Sequence, residues 1–275
     1  MQTSFQIAFI GAGNMARAII GGLLAQGLPA QQIIACEPDL ERLRDLEAQG
    51  IQIRSDNASA VRQADLVILA VKPQIMRDVC TPLRAAAAEK HPVFLSVAAG
   101  IRIQALADWL GADLALVRSM PNTPALVGKG ACGLFANAQV TEQQKQEISQ
   151  VMQATGLTLW VDKEDELDAV TAVSGSGPAY FFLMMEAMIA AGERLGLSPD
   201  TAKALTLQTA AGAAEMALQS EWDPAELRRR VTSPKGTTEQ AILCFQQGGF
   251  SPLVDQALQA CHQRAVELAD ELGKS

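Results

Sequence analysis

The first 160 residues alternate short apolar runs with stretches in which apolar residues recur at helical spacing. An uninterrupted apolar run is typical of a strand covered on both faces, as in a parallel sheet. The runs predict strands at residues 6–10, 32–36, 51–53, 66–71, 93–97, 115–118, 130–136 and 156–161. The intervening stretches predict helices at residues 14–26, 40–49, 58–63, 75–90, 103–110 and 142–155. This alternation predicts a doubly wound α/β sheet.

The strand pattern disappears after residue 161, and the remainder is predicted to be helical. The main predicted helices are residues 178–195, 201–219, 239–247 and 253–272. The first of them is apolar almost all round, so it must be covered on every side. The last places apolar residues at alternating spacings of four and three, which is typical of a helix packed along another helix.

The helical half is too thin by itself to cover so much apolar surface, and a second copy of it would complete the core. We therefore predict a doubly wound domain at residues 1–162 and an all-helical dimerisation domain at residues 163–275. The protein is expected to be a homodimer or a higher homo-oligomer built through the helical domain.

A glycine-rich turn joins the first predicted strand to the first predicted helix. It reads G-x-G-x-x-A, with Gly11, Gly13 and Ala16 at the three small positions. In a Rossmann-type fold such a turn lets a pyrophosphate approach the N–H groups of the helix N-terminus. Glu37 follows 21 residues after Ala16, about where a carboxylate binds the adenosine ribose. A plain tight turn is the alternative, but the surrounding strands and helix favour a dinucleotide site.

Three further strand ends carry residues at the sheet edge where open α/β folds bind ligands. They are A-V-K-P at residues 70–73, A-A-G at residues 98–100 and M-P-N-T-P at residues 120–124. Lys72 is either a solvated charge at a strand end or a ribose or phosphate contact. Its position at the crevice favours the contact.

Composition narrows the class of protein. Hydrophobic residues make up 49% of the chain and charged residues 19%, which is typical of a globular protein. A net charge of −8 without a basic stripe argues against nucleic-acid binding. The five cysteines form no C-x-x-C pair and no secretory signal is visible, so we expect reduced thiols, no metal site and a cytoplasmic location. The most apolar run, residues 179–192, contains Glu186 and is too short to span a membrane.

Two loops of small residues are predicted to interrupt the helical half. S-G-S-G-P at residues 174–178 leads into the apolar helix, and T-S-P-K-G-T-T at residues 232–238 opens the helix at residues 239–247. The second loop gathers hydroxyls and free N–H groups at a helix N-terminus, which suits a carboxylate. An ordinary helix cap is the alternative.

Taken together, these motifs resemble those of the pyrroline-5-carboxylate reductase family over nearly the full length of the chain. The matching motifs, in order, are F-I-G-A-G-N-M-A, A-V-K-P, A-A-G, M-P-N-T-P, S-G-S-G-P-A-Y and S-P-K-G-T-T. The resemblance implies an enzyme that uses NAD(P)H to reduce the cyclic imine Δ1-pyrroline-5-carboxylate to L-proline, the last step of proline synthesis.

The resemblance also implies roles for individual residues. Those expected to bind the dinucleotide are Ile10, Gly11, Ala12, Gly13, Asn14, Met15, Glu37, Asn57, Ala70, Val71, Lys72, Pro73, Ala98, Ala99 and Gly100. Those expected to bind the substrate are Glu164, Ser233, Gly236, Thr237 and Thr238. Thr238 is the expected catalytic residue, as a hydrogen-bond donor near the imine nitrogen.

Two short segments depart from the family's usual pattern. Lys235 replaces the first glycine of S-P-G-G-T-T, and Arg228-Arg229-Arg230 precedes Val231 where the family often has Asp-x-Val. The backbone groups that would bind a carboxylate are compatible with both changes. Whether this chain keeps the contacts made in the family by that aspartate, and by the residue at the position of Arg230, stays open.

The residues give arguments for both forms of the cofactor. Glu37 favours NADH, because a carboxylate binds a ribose 2′-hydroxyl and repels a 2′-phosphate. The resemblance implies mostly NADPH, and Arg42 or Arg44 on the next helix is placed to meet a phosphate. We expect NADP(H) as the cofactor, with NAD(H) accepted as well.

The protein mainly has to orient the cofactor and the substrate, because a protonated imine is already a good electrophile. Neither histidine, His91 or His262, lies in a motif. The nearest rivals are another imine reductase and a β-hydroxyacid dehydrogenase. The latter uses a lysine on the first long helix of its second half, and residues 178–195 contain none. A non-catalytic NAD(P) sensor is the rival from another class, and the hydroxyl-rich loop at residues 233–238 argues against it.

Overall fold

The computed structural model describes residues 5–273, and within them eight strands form one sheet. The strands are β1 (Ile7–Ile10), β2 (Ile33–Cys36), β3 (Gln52–Arg54), β4 (Leu66–Leu69), β5 (Val93–Ser96), β6 (Leu116–Met120), β7 (Gly130–Ala136) and β8 (Gly156–Trp160). Their order across the sheet is β3-β2-β1-β4-β5-β6-β7-β8. Neighbouring strands are parallel except β6 and β7, which are antiparallel.

The central strands are buried on both faces. Every residue of β1, β2, β4 and β5 is buried. Alternate residues of β1 enter two separate cores: Ile7 and Phe9 face one, and Ala8 and Ile10 face the other. This two-sided burial explains why these strands read as continuous apolar runs. The chain runs from β1 to β2 in one direction and returns to β4 on the other side, so the switch point of the sheet lies between β1 and β4.

Eight helices accompany the sheet within the described residues. They are α1 (Asn14–Ala25), α2 (Arg44–Glu47), α3 (Asn57–Gln63), α4 (Met76–Cys80), α5 (Arg84–Lys90), α6 (Ile103–Leu110), α7 (Glu142–Gln153) and α8 (Glu166–Val170). Short 3₁₀ turns occupy Ala30–Gln32, Leu40–Leu43, Pro73–Ile75, Thr81–Leu83 and Thr123–Val127. The start of α7 is fixed by a capping box between Thr141 and Gln144.

Three local predictions are wrong. The helix expected at residues 75–90 is interrupted by the turn Thr81–Leu83, because Pro82 has no N–H to continue the ladder. The helix expected at residues 40–49 is a 3₁₀ turn followed by the short α2. The S-G-S-G segment is not a loop, because a π-helical turn, Thr171–Gly175, follows α8 directly.

The chain divides into two compact units. The first contains the described residues through Ser176 together with those from Cys261 onward, and the second is Gly177–Ala260. The first division therefore lies after the boundary expected at residues 162/163. The end of the last helix, expected in the helical domain, belongs to the first unit. The boundary expected at residues 162/163 stays a prediction.

The second unit is helical. It contains α9 (Gly177–Arg194), α10 (Pro199–Gln219), α11 (Pro224–Arg230), α12 (Thr237–Gln247) and the beginning of α13 (Phe250–Gly273). α9 packs against α10, yet Phe181, Phe182 and Leu183 of α9 remain 68%, 62% and 66% exposed. The prediction of a Rossmann-type sheet followed by helices is confirmed. No helix in residues 5–273 is long and apolar enough to cross a membrane.

Candidate functional site

The turn after β1 requires glycine at its first position. Gly11 has a φ of +91°, and a Cβ there would lie 2.8 Å from both the carbonyl oxygen of Ala70 and Cγ1 of Val71. Its N–H donates to the carbonyl of Cys36 at 3.0 Å. The turn is therefore wedged between the ends of β2 and β4, where no larger residue fits without displacing the backbone.

The second glycine leaves an open surface instead. Gly13 is the N-cap of α1, has an ordinary φ of −73° and provides no side chain to cap the helix. A Cβ at Gly13 would meet nothing within 4 Å. The first N–H groups of α1 are thus available to an anion, and Ala16 behind them is fully buried against the sheet. This cradle fits the pyrophosphate of a dinucleotide.

Glu37 lies where the sequence predicts the ribose carboxylate, at the end of β2. Its Oε2 accepts a hydrogen bond from the N–H of Ala12 at 3.3 Å, and its Oε1 pairs with Nη1 of Arg42 at 2.9 Å. The neighbouring Arg44 pairs with Glu41 at 2.5 Å. The structure therefore joins Glu37 directly to the glycine-rich turn.

Arg17 also lies beside the glycine-rich turn, and the sequence analysis did not predict it as a site residue. Its Nε donates to the carbonyl of Ala12 at 3.1 Å, and its guanidinium pairs with Asp45. Its place in the sequence could have indicated an ion pair. Arg17 is a basic residue near the N-terminus of α1, where the helix dipole disfavours a cation unless a carboxylate lies nearby.

The segments predicted for the nicotinamide half meet at the carboxyl ends of β1, β4 and β5. The N–H of Ala70 donates to the carbonyl of Ile10 at 2.8 Å, and the N–H of Ala98 donates to Oγ of Ser96 at 3.3 Å. Ala98 and Gly100 are buried, whereas Lys72 and Ala99 are exposed. Asn57 begins α3 after the end of β3, on the adenosine side of the sheet.

The M-P-N-T-P loop is attached to the π-helical turn. Asn122 is buried, its Nδ2 donates to the carbonyl of Ser174 at 2.9 Å, and its Oδ1 accepts from the N–H of Ala131 at 2.8 Å. Single π-helical turns occur frequently at functional sites. Two motifs that are about 50 residues apart in the sequence are therefore neighbours through one amide side chain.

Glu164 lies in a cluster of charged side chains of the first unit. Its Oε1 accepts from the N–H of Ile103 at 2.8 Å and from Nη1 of Arg118 at 3.2 Å. Arg118 and Asp168 are buried, and sequence reasoning missed both. The signal for Arg118 was a charged residue inside an apolar strand, which demands a buried partner. The expected role of Glu164 toward the substrate stays a prediction.

The S-P-K-G-T-T loop lies in the second unit. α12 begins at Thr237, so Thr237 and Thr238 occupy its first turn after the N-cap Gly236. The N–H of Lys235 donates to Oε2 of Glu239 at 2.8 Å. Lys235 has a φ of +61°, a conformation that favours glycine, which agrees with the glycine usual in the family at this position. Thr238 is exposed.

All five cysteines are free thiols. Burial raises the pKa of Cys36, Cys80 and Cys132 to about 12. A thiol that stays protonated at neutral pH is a poor nucleophile, so these three are structural.

The fold and the open glycine-rich turn at its switch point define a Rossmann-type dinucleotide-binding protein. A family model described as pyrroline-5-carboxylate reductase dimerisation matches residues 164–268, and one described as NADP oxidoreductase, coenzyme F420-dependent, matches residues 6–100. The pyrroline-5-carboxylate reductase of Pseudomonas aeruginosa is 57% identical over 270 residues, covering 98% of each chain. That of Pisum sativum is 37% identical, also over 98% of each chain.

Solved structures agree with these relatives. The pyrroline-5-carboxylate reductase of Coxiella burnetii has a TM-score of 0.94 and 44% identity, covering 97% of this chain and 99% of that chain. The Plasmodium falciparum pyrroline carboxylate reductase with NADP bound has a TM-score of 0.85 and 28% identity, covering 96% of this chain and 98% of that chain. The chain belongs to the pyrroline-5-carboxylate reductase family. The resemblance inferred from the motifs is confirmed.

Proposed function

We propose that this chain reduces Δ1-pyrroline-5-carboxylate to L-proline with a reduced nicotinamide dinucleotide, as the last step of proline biosynthesis. The observation that carries the proposal is the 57% identity to a pyrroline-5-carboxylate reductase over 98% of both chains. The open N-terminus of α1 at Gly13 supports it, because a reductase of this class needs a place for a pyrophosphate.

The dinucleotide would lie along the carboxyl ends of the parallel strands. The N–H groups at the start of α1 would hold the pyrophosphate, and Glu37 and Asn57 the adenosine half. The segments Ala70-Val71-Lys72-Pro73 and Ala98-Ala99-Gly100 would line the nicotinamide half. When bound, the reduced nicotinamide supplies a hydride for the imine carbon.

NADP(H) is the proposed cofactor, with NAD(H) accepted as well. Glu37 can receive a hydrogen bond from a ribose 2′-hydroxyl, which suits NAD(H). A 2′-phosphate would instead need Arg42, whose side chain is 67% exposed. Arg42 can turn toward a phosphate from this exposed position, but Glu37, whose side chain is 17% exposed, would then lose its partner. A related structure that contains NADP supports this choice.

The substrate would be bound at the first turn of α12. Its carboxylate would receive hydrogen bonds from Ser233 and from the backbone of Gly236 and Thr237, at a helix end whose dipole favours an anion. The hydroxyl of Thr238 would donate a hydrogen bond to the ring nitrogen. Because the imine can bind already protonated, Thr238 need not be a strong acid. Glu164 is proposed as an acid on the substrate side.

The active form is proposed to be a homo-oligomer in which α9 enters a shared core. Three large apolar side chains of α9 are more than 60% exposed in the single chain, and a family model for dimerisation covers residues 164–268. A reducing, cytoplasmic location is proposed from the five unpaired cysteines.

The test is a turnover assay on the purified protein. NADPH should be oxidised when pyrroline-5-carboxylate is added, and proline should accumulate in equal amount. The contrasting reaction, 3-hydroxyisobutyrate with NAD⁺, should give no reduced dinucleotide. Turnover of the hydroxyacid without turnover of the imine would overturn the proposal in favour of a β-hydroxyacid dehydrogenase. Dinucleotide binding without either reaction would favour a sensor.

A further inference from the structure

Five charged side chains of the first unit form what we call the Asp168 cluster: Arg102, Arg118, Glu164, Asp165 and Asp168. Nη1 of Arg102 lies 2.6 Å from Oδ1 of Asp165, and Nη1 of Arg118 lies 3.2 Å from Oε1 of Glu164. Asp165 is exposed, whereas Arg118 and Asp168 are buried. The interior of the cluster therefore holds charges that water does not stabilise.

Asp168 lies between the two arginines. Its residue is 1% exposed, and neither carboxylate oxygen has a hydrogen-bond partner among the described residues. Oδ1 is 3.7 Å from Nη2 of Arg118, and Oδ2 is 3.8 Å from Nη2 of Arg102. A carboxylate this buried needs opposite charge nearby, so its attraction holds both guanidinium groups in place.

The two arginines belong to different elements of the first unit. Arg102 is the N-cap residue of α6 and follows Gly100 by two positions. Arg118 lies in β6, four positions before Asn122 of the M-P-N-T-P loop. Glu164 adds a third link, because it accepts the N–H of Ile103 in the first turn of α6. Through Arg102 and Arg118, Asp168 thus connects the start of α6, which follows the segment Ala98-Ala99-Gly100, to the middle of β6.

We propose that Asp168 is a positioning residue for hydride transfer: it holds Arg102 and Arg118 so that the segment Ala98-Ala99-Gly100 keeps its place against the nicotinamide. The inference rests on the proposed function, because it assumes that this segment lines the nicotinamide half. Catalysis is sensitive to such placement, since a shift of about 1 Å in a remote support costs up to about 10²-fold in rate.

The simpler alternative is a buried ion pair that contributes only to stability. Asp65 provides a control for the same substitution within the same unit, at a carboxylate that is 37% exposed, whereas that of Asp168 is 2% exposed. It pairs with Lys90 at 2.9 Å and accepts the N–H of Gln6 at 3.0 Å, just before β4 and therefore at the amino ends of the strands. Asp65→Asn makes the same chemical change as Asp168→Asn, but at the edge of the sheet opposite to the crevice.

The experiment compares wild type, Asp168→Asn and Asp65→Asn. Three quantities are measured: hydrogen–deuterium exchange of residues 96–104 without dinucleotide, NADP⁺ affinity by calorimetry, and kcat with NADPH or its 4-deuterated form. We expect Asp168→Asn to speed exchange in this segment, weaken NADP⁺ binding and lower kcat by about 10-fold or more. Its deuterium isotope effect should rise, because hydride transfer becomes slower relative to the other steps. Asp65→Asn should change none of these.

Loss of folded protein alone would lower kcat without changing the isotope effect, so the two explanations are separable. Wild-type exchange and kcat in Asp168→Asn would overturn the inference, as would an equal loss in Asp65→Asn. If Asp168→Asn does not fold, Arg102→Gln breaks the same link at a side chain that is 27% exposed, and it should give the same changes. The exchange measurement needs neither substrate nor cofactor, and wild-type turnover tests the proposed function separately.

Discussion

Two single alanine substitutions in the glycine-rich turn should have different effects, one on the stability of the protein and the other on its affinity for the dinucleotide. The variants are Gly11→Ala and Gly13→Ala. Both glycines belong to the same motif, but their surroundings differ. Gly11 faces the protein, and Gly13 faces the space in which we expect the pyrophosphate.

Gly11→Ala should destabilise the protein strongly. An alanine at a φ of +91° is strained by about 1–2 kcal/mol. Its Cβ would also lie 2.8 Å from the carbonyl oxygen of Ala70, which must then move, and such overpacking costs about 1–3 kcal/mol. Replacing glycine restricts the unfolded chain and returns about 0.4–1 kcal/mol. We expect a net loss of about 2–4 kcal/mol in the free energy of unfolding.

Gly13→Ala should leave stability almost unchanged and weaken binding. Its φ of −73° suits alanine, and the added Cβ meets nothing within 4 Å. We expect a stability change within about 0.5 kcal/mol. The same Cβ would stand between the helix N-terminus and the pyrophosphate, so the Kd for NADPH should rise by about 10- to 100-fold, or about 1.4–2.7 kcal/mol.

The assay is urea unfolding followed by tryptophan fluorescence, at one protein concentration because an oligomer's stability depends on it. NADPH titration of the folded protein gives the Kd. Gly13→Ala that binds NADPH like wild type would refute the assignment of the turn to the pyrophosphate. Gly11→Ala with wild-type stability would refute the reasoning from its backbone and contacts.

Three further predictions concern single side chains. Thr238→Ala should lower kcat by about 10²-fold and Thr238→Ser should retain much of the activity, with NADPH affinity unchanged in both; wild-type kcat in the alanine variant would remove Thr238 from the mechanism. Glu37→Ser should raise the ratio of kcat/KM for NADPH to that for NADH by about 10-fold. Glu89→Ser, which removes the carboxylate of another surface pair, with Arg62 at 2.8 Å, should leave the ratio unchanged. An unchanged ratio in Glu37→Ser would show that Glu37 does not contact the ribose. Lys235→Gly should stabilise the protein by about 0.5–1 kcal/mol in thermal unfolding, because it relieves a φ of +61°, and no gain would mean that the loop relaxes without it.

The sheet was predictable because its strands are covered on both faces. A run such as Leu66–Leu69 has no polar residue to suggest another structure, and the structure buries every residue of it. The glycine-rich turn was predictable for a similar reason, since its spacing is set by local sterics at Gly11. Prediction from local composition failed where tertiary contacts determine the secondary structure. Ser174 and Gly175 have the composition of a loop, yet they continue a helix as a π-helical turn whose carbonyl at Ser174 is held by Asn122.

The Asp168 cluster could not be predicted from the hydrophobic periodicity of the sequence, because it depends on contacts between distant residues. Arg118 and Asp168 are 50 residues apart, and only the folded chain places them 3.7 Å from each other. The sequence does show that an arginine inside an apolar strand needs a partner, but it does not say which carboxylate provides it. For the same reason the motif resemblance could name Glu164 without revealing its bonds to Ile103 and Arg118.

The central claim is that this chain transfers a hydride from a reduced nicotinamide to the imine carbon of pyrroline-5-carboxylate. The most direct test incubates the purified protein with pyrroline-5-carboxylate and NADPH deuterated at the transferred position of C4, and identifies the product by mass spectrometry and NMR. We predict proline with one deuterium, located on the ring carbon bonded to nitrogen and not to the carboxylate. Unlabelled proline, or no proline while the dinucleotide still binds, would contradict the account.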